Sequence, residues 1–349
     1  MDHVAIDLGG RESQMCVRSS DGTVLEEKRC ATRSLGRLLA KMPKSRIVVE
    51  TCAEAFGIAD TALEFGHEVR VVPATLVRSL GVGSRRTKTD QRDARILSEV
   101  SCRIDLPSVH VPTRESRRRK SLCGMREALV SARTQLANSI RGWLRGQGRK
   151  LRSGAVESMA TRVRGTFVGD ELPGFVERQL KSFEALNEAV READREVKEL
   201  AHEDPLCRRL QTVPGVGPVT AVRFVATLDK VERFFNSHQV ESYIGLVPGE
   251  RSSSDQQHRL SITKAGSPAL RRTLVQAAWA ARMTRTSHPM VEWSLEVEKR
   301  RGKHVAAVAL ARKIAGILFA MWRDGTPYDP RRGASEAKSP PDTMGAAAA

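Results

Sequence analysis

Residues 3 to 31 read HVAIDLGGRESQMCVRSSDGTVLEEKRCA: a short apolar run that stops at an acid, a glycine pair, then two strand-like stretches folded about Asp21-Gly22. Asp-Gly between such stretches is a tight-turn signal, because glycine takes the positive φ that a hairpin turn demands. The opening is therefore a strand followed by an antiparallel hairpin. Two further strands lie in SRIVVE, ending at Glu50, and in HEVRVVP, ending at Pro73. Apolar residues recur at helical spacing over Leu35 to Met42, Glu54 to Phe65 and Asp90 to Ser101. Together they predict an α/β domain with an antiparallel opening hairpin.

From Arg114 the pattern becomes long and helical. Leu122, Leu129, Leu136 and Trp143 recur every seven residues, with Met125 and Ala132 at the intermediate position of the first two repeats. Val176, Phe183, Val190 and Val197, with Leu186, Ala193 and Leu200, form a second series flanked by Glu, Lys and Arg. Such heptads predict a coiled coil or an antiparallel helical hairpin, and a core helix carries the same spacing. The expected division is an α/β domain over 1–113, a basic helical or coiled-coil connector over 114–204, a mainly helical domain with a serine loop over 205–332, and a small, polar, disordered tail over 333–349.

The 349 residues carry a formal charge of +17 and a pI near 10.2, more than solubility requires, which points to a polyanionic partner, most simply nucleic acid. An anionic membrane surface is the competing reading. No apolar run approaches spanning length and the first ten residues lack a signal-peptide pattern, so a soluble, cytosolic chain is expected. The six cysteines are scattered without C-x-x-C pairs or histidine spacing, which argues against a zinc site or a disulfide framework. Charge concentrates between Arg117 and Arg164, where thirteen Lys and Arg face two acids, Glu127 and Glu157. That imbalance predicts a nucleic-acid track, with Arg117, Arg118, Arg119, Arg141, Arg145 and Arg149 among its contacts.

Four carboxylates form a set. Asp7 and Glu50 each end a buried strand, and Asp90 and Asp93 sit in RRTKTDQRDARIL, Arg85 to Leu97, where an i, i+3 pair shares one helix face. Converging carboxylates repel unless a cation neutralises them, and hard oxygen donors favour Mg²⁺ or Mn²⁺, a pair of which activates nucleophile and leaving oxygen at a phosphodiester. Arg86, Lys88, Arg92 and Arg95 would then hold phosphates beside the metal; ordinary salt-bridging of these cations with Asp90 and Asp93 is the plain alternative. The DLGG sequence also occurs in sugar-kinase and actin-like ATPases, but the further phosphate and adenine loops of those folds are not found.

VAIDLGGRES, RIVVE and TKTDQRDAR, followed by PGVGPVTA and YIGLVPGERSSSDQQHRLSITKAGSPALRRTLVQAAW, resemble the blocks of the DEDD insertion-sequence transposases. The resemblance covers most of the chain apart from the tail and, less closely, the helical middle. It implies a RuvC-like, RNase H-fold first domain with Asp7, Glu50, Asp90 and Asp93 as metal-binding catalytic acids. It also implies a serine nucleophile five residues after the proline of a G-L-x-P block, which is Ser253. The family usually has glycine after that serine; here it is Ser254, so Ser252 and Ser254 stand as alternatives. DNA, a structured guide (bridge) RNA, a homodimer or tetramer, no membrane, and a bacterial, nucleoid-associated location are further implications. A Holliday-junction-resolvase-like or RNase H-like nuclease using water is the enzymatic alternative, and a basic RNA-binding scaffold the non-enzymatic one.

Two more features fit phosphate contact. Ser267 and Pro268 read as the N-cap and first turn of a helix whose free N–H groups would be reinforced by Lys264, Arg271 and Arg272. TVPGVGPVTA, Thr212 to Ala221, resembles a helix-hairpin-helix turn in which Gly215 and Gly217 admit a nucleic-acid backbone; a tight turn packed inside the domain is the alternative.

Overall fold

The structure, a computed structural model, describes residues 1–79, 90–253, 256–284 and 288–330. Arg86, Lys88, Ser254 and the tail over 333–349 lie outside the described residues, as do the side chains of Asp90, Ser252 and Ser253. The chain divides into two compact units, Met1–Thr113 and Arg114–Ala349.

The first unit is built on a five-stranded sheet. Strands β1 (His3–Asp7), β2 (Glu12–Arg18) and β3 (Val24–Ala31) run antiparallel in sequence, then helix α1 (Leu35–Leu39) leads to β4 (Arg46–Glu50), and α2 (Ala55–Glu64) leads to β5 (Glu68–Val72). Helices α3 (Ala74–Ser79) and α4 (Asp90–Arg103) complete it. The strand order is β3-β2-β1-β4-β5, with β4 parallel to both β1 and β5. The predicted hairpin forms about Gly22, at φ +95°, where Gly22 N donates to Ser19 O and Thr23 N to the Asp21 carboxylate. Alternation along β1 and β4 buries both faces. Val4, Ile6, Ile47 and Val49 pack with Leu35, Leu39, Ala55 and Ala59 of α1 and α2, whereas Ala5 and Val48 pack with Val77 and Leu97 of α3 and α4. Side chains two apart share a face, so Asp7 and Glu50 belong to the α4 side.

The second unit begins with α5 (Arg114–Gly146), followed by α6 (Met159–Arg164) and α7 (Gly174–Glu203). Then come α8 (Pro205–Leu210), α9 (Pro218–Leu228), α10 (Ser237–Ile244), the strand pair β6 (Pro248–Ser253) and β7 (Gln256–Ile262), and α11 (Pro268–Met283), α12 (Pro289–Arg301) and α13 (Lys303–Asp324). Helices α5 and α7 are antiparallel: Arg119 meets Asp204 just beyond α7, Arg126 meets Asp194, and Arg133 donates to Asn187.

Three expectations change. The first heptad series is displaced by one position, for Cys123, Ala137, Ile140 and Leu144 are buried while Leu122, Leu129, Leu136 and Trp143 are only half-buried and Met125 is 71 % exposed. The face of α5 answers to α7 and α9 together, so two partners widen and rotate the seam that one partner would fix. Helix α13 is long and apolar enough to cross a membrane, contrary to the sequence reading, but half of its apolar window is buried, with Leu310, Ile314, Leu318 and Phe319 in the core of the second unit. Lastly, Ser252 and Ser253 stand in a strand rather than a loop.

Candidate active site and nucleic-acid contacts

Register places the two strand-end acids side by side. Ile6 lies beside Val49 in the parallel β1–β4 pair, so the next residues, Asp7 and Glu50, end their strands side by side. Helix α4 crosses the same face in the opposite direction. His3 Nδ1 bonds Ser101 Oγ at 2.7 Å at the start of β1, and Ser98 Oγ donates to the sulfur of Cys16, the residue opposite Ala5, at 3.2 Å. From His3 to Asp7 the strand advances about 13 Å. Going back from Ser101 to Asp93 the helix covers about 12 Å. Asp93 is thus level with Asp7, on the helix stripe shared with Leu97 that faces the sheet.

Asp93 is 9 % exposed, and its Oδ1 is buried with no hydrogen-bond partner among the described residues. An unsatisfied buried acceptor costs about 1–3 kcal/mol, more when charged, so a cation is the natural complement. Among the described residues no three His, Cys, Asp or Glu side chains gather closely enough to form a ready-made metal site. Asp7, Glu50 and Asp93 lie at one end of the sheet, and Asp90, at the first position of α4, belongs with them by sequence. Hard carboxylate oxygens and one unfilled acceptor fit a divalent cation.

The α4 arginines divide. Arg95 makes a two-point ion pair with Glu27 of β3, at 2.5 and 2.7 Å, which ties the helix to the sheet. Arg92 is exposed, with no ion-pair partner among the described residues.

Ser253 ends β6 opposite Gln256, at the far end of the two-stranded ribbon. The near end is locked by two glycines that sequence reading passed over. Gly245 (φ +77°) and Gly266 (φ +65°) let two backbone segments cross so closely that a Cβ on Gly245 would strike Ala265, and one on Gly266 would strike Tyr243 O. Arg271 clamps the crossing by donating to the carbonyls of Ile244, Ala265 and Gly266. Its predicted phosphate role thus competes with a structural one. Ser267 caps α11 as expected, accepting from Leu270 N at 3.3 Å, and Lys264 is exposed beside it.

Residues 4–147 match the DEDD transposase model of the IS110 type, and residues 207–291 match the model described as Transposase IS116/IS110/IS902 family. A probable family 20 transposase of Pseudomonas aeruginosa is 30% identical over 313 residues, covering 87% of this chain and 90% of that protein. The chain belongs to the IS110/IS116 transposase family. The transposase for insertion sequence element IS1328 of Yersinia enterocolitica is 28% identical over 331 residues, 93% of this chain and 98% of that protein. That for element IS1111A of Coxiella burnetii is 29% identical over 327 residues, covering 91% and 88%. The two family matches contain all four acids and Ser253. The mixed sheet of this transposase is consistent with an RNase H-like first domain.

The glycines of the transposase's VPGVGP turn also divide. Gly215 (φ +81°) lies against α11, where a Cβ would strike Ala277 O and Ala281 N, so it serves packing. Gly217 caps α9 with nothing within 4 Å of a Cβ position, so its backbone is open to approach. Arg272 is held by Glu127 of α5, which also accepts from buried Arg223 at 2.6 Å. Glu127 is a residue that sequence reading counted only as an acid in a basic span. In α5, Arg119 bridges Glu115 and Asp204, and beyond its end Arg149 joins Thr166 O and Asp170 while lying 4.2 Å over the Phe167 ring. Arg118 is exposed and only loosely paired, at 3.9 Å from Glu115, and Arg117 lies beside it.

Proposed function

We propose that this transposase cleaves and rejoins the DNA strands of an insertion sequence, with Asp7, Glu50, Asp90 and Asp93 as ligands of Mg²⁺ or Mn²⁺ and Ser253 as nucleophile. The observation that carries the reading is the buried Oδ1 of Asp93, unpartnered among the described residues and level with Asp7 and Glu50 at one end of a sheet. The 3-2-1-4-5 strand order supports a RuvC-like, RNase H-fold assignment of that sheet. A divalent cation bound there would stabilise negative charge developing on a phosphodiester.

In the proposed step Ser253 Oγ bonds to phosphorus as one DNA ester oxygen leaves, and the serine proton ends on the departing DNA hydroxyl. One DNA end is then esterified to the protein and the other is a free alcohol. Attack on the phosphoserine by a different DNA hydroxyl releases the serine and makes a new phosphodiester, so rejoining needs no external energy source. The lock at Gly245 and Gly266 with its Arg271 clamp gives the serine strand a fixed base. Backbone-directed cations without an evident base-reading constellation support delegation of target choice to pairing with a structured, element-encoded RNA. A homodimer or tetramer is the proposed working form.

The test is denaturing electrophoresis of labelled DNA after reaction in Mg²⁺ or Mn²⁺. The wild type should leave a covalent protein–DNA adduct, Ser253→Ala none, and Asp93→Asn neither adduct nor cut strand. Cut DNA without adduct in the wild type would transfer the reading to a water-using nuclease.

A further inference from the structure

Where α5 ends, the second unit holds a concavity of about 370 Å³ whose charged lining is wholly basic. Arg141 and Arg145 come from the last turns of α5, Arg149, Lys150 and Arg152 from the segment after it, and Arg162 from α6. Elsewhere in this helical region several arginines are matched with acids: Arg119 with Asp204, Arg126 with Asp194, Arg133 with Glu157, Arg164 with Glu177 and Glu184. Around the concavity only Arg149 has a carboxylate partner among the described residues, Asp170. Arg162 donates to Ser158 Oγ and to the carbonyls of Arg152 and Ala155, all neutral acceptors. Arg141, Arg145, Lys150 and Arg152 make no side-chain hydrogen bond or ion pair among the described residues.

The concavity is shaped by the chain. Helix α5 terminates through Gly148 at φ +68°, with Arg149 N returning to Leu144 O at 2.9 Å. Gly154 makes room for the Arg162 guanidinium, since a Cβ there would lie 3.1 Å from its central carbon, and the Arg162 bonds then pin the segment around it. Complementing the helix dipole accounts for Arg145 in the last turn of α5, but not for Lys150, Arg152 and Arg162 beyond that helix end. Like charges held this close repel, and here the fold supplies one acid, whereas Arg119, Arg126, Arg133 and Arg164 are each paired.

We infer that this concavity is a phosphate cradle for a sharply turned, unpaired stretch of nucleic acid. A duplex presents its phosphates on the outside of a convex rod, and a pocket of this volume admits one or two phosphate groups converging inward. Only a strand that turns on itself, as at a loop or bulge, delivers them in that way. The site lies apart from the acids and serine in the sequence and stands whether or not the proposed chemistry does. Arg149 and Arg162 build it, and Arg141, Arg145, Lys150 and Arg152 supply the unmatched charge.

The test uses the full chain and fluorescence anisotropy with three labelled probes: an RNA stem-loop, the DNA stem-loop of the same sequence, and the blunt duplex of the same stem. The wild type should favour the stem-loops over the duplex by about tenfold, with a salt slope that includes one or two single-strand phosphates. The variant R141Q/R145Q/K150Q/R152Q should lose that preference and flatten the slope by about 1. Its melting temperature should match the wild type, since these side chains hold nothing; should it unfold, R145Q/R152Q at two exposed positions gives the same reading in smaller measure. Equal binding of both stem-loops assigns the cradle to phosphate alone, and preference for RNA adds the ribose hydroxyl. A wild type indifferent to the loop, or a folded quadruple variant with unchanged preference and slope, overturns the inference. Loop binding that persists in Asp93→Asn keeps this result separate from the strand-cleavage test.

Discussion

Among the described residues Asp93 presents a buried carboxylate oxygen to no donor, a position that a bound cation would make tolerable. Replacing it by asparagine removes the buried charge and should raise the melting temperature of metal-free protein by a few degrees, from about 1 kcal/mol of relieved desolvation. The wild type should gain stability when Mn²⁺ is added and Asp93→Asn should gain much less, as differential scanning fluorimetry would show. A variant that melts lower without metal and keeps the full metal response would make Asp93 a packing residue. Gly215 and Gly217 give a second test at this scale. Alanine at 215 meets both a positive φ and the α11 backbone and should cost at least about 2–3 kcal/mol in denaturant unfolding, whereas alanine at 217 should cost less than about 1. The sequence could not separate them, because the atoms that decide, on Ala277 and Ala281, come from a helix far along the chain. The pairing of Arg272 with Glu127 was illegible for the same reason. A sequence shows which charges exist but not which of them meet.

Elements were easier to read when their pattern answers to one neighbour. The strands ending at Asp7 and Glu50 were plain, since a parallel central strand is apolar along its length and stops where it meets water. The α5 seam was misplaced by one position, because α7 and α9 share that helix. The end of the α5–α7 pair offers a test of how its charges act. Asp204 caps α8 by accepting from Leu206 N at 2.8 Å and Cys207 N, and it pairs with Arg119 of α5. Burial alone would raise its carboxyl, but Arg119 and the two amides hold it below the ordinary 3.8. A depressed carboxylate contributes stability that is present above its unfolded value and lost as pH falls through the lower folded one. Asp204→Ala should therefore cost about 2 kcal/mol near neutral pH, the sum of a lost cap and a lost charged bond. The difference from wild type should shrink steadily once pH drops below 3.8, and an equal deficit at all pH would mean that shape and not charge matters. Cys207 nearby, pushed up to about 12 mainly by burial, should resist alkylation in the folded protein at mild alkaline pH, while exposed Cys52 reacts.

At the scale of the whole molecule, the acids and the serine belong to different compact units, and a long helical segment stands between them in the sequence. Two ways of completing a site are open to such a chain: its own serine, or that of a second copy. The heptads of α5 and α7 are largely used within the chain, but α5 leaves Met125 exposed for a partner helix, and the second arrangement is the one proposed. The mixture that discriminates contains Asp93→Asn chains and Ser253→Ala chains, each inactive alone. In a heterodimer with sites built across chains, one site collects both defects and the other has none, so strand cleavage with adduct formation should return to about half of the wild-type level per heterodimer. Sites built within one chain would each carry one defect, and no adduct would form. Recombination to completion is not the readout, because joining can require every site at once, whereas a single adduct needs only one intact pairing of acids and serine. Verified heterodimers that stay silent while wild-type dimers react would place the whole site within one chain, and the exposed Met125 on α5 would then need another explanation than a partner helix.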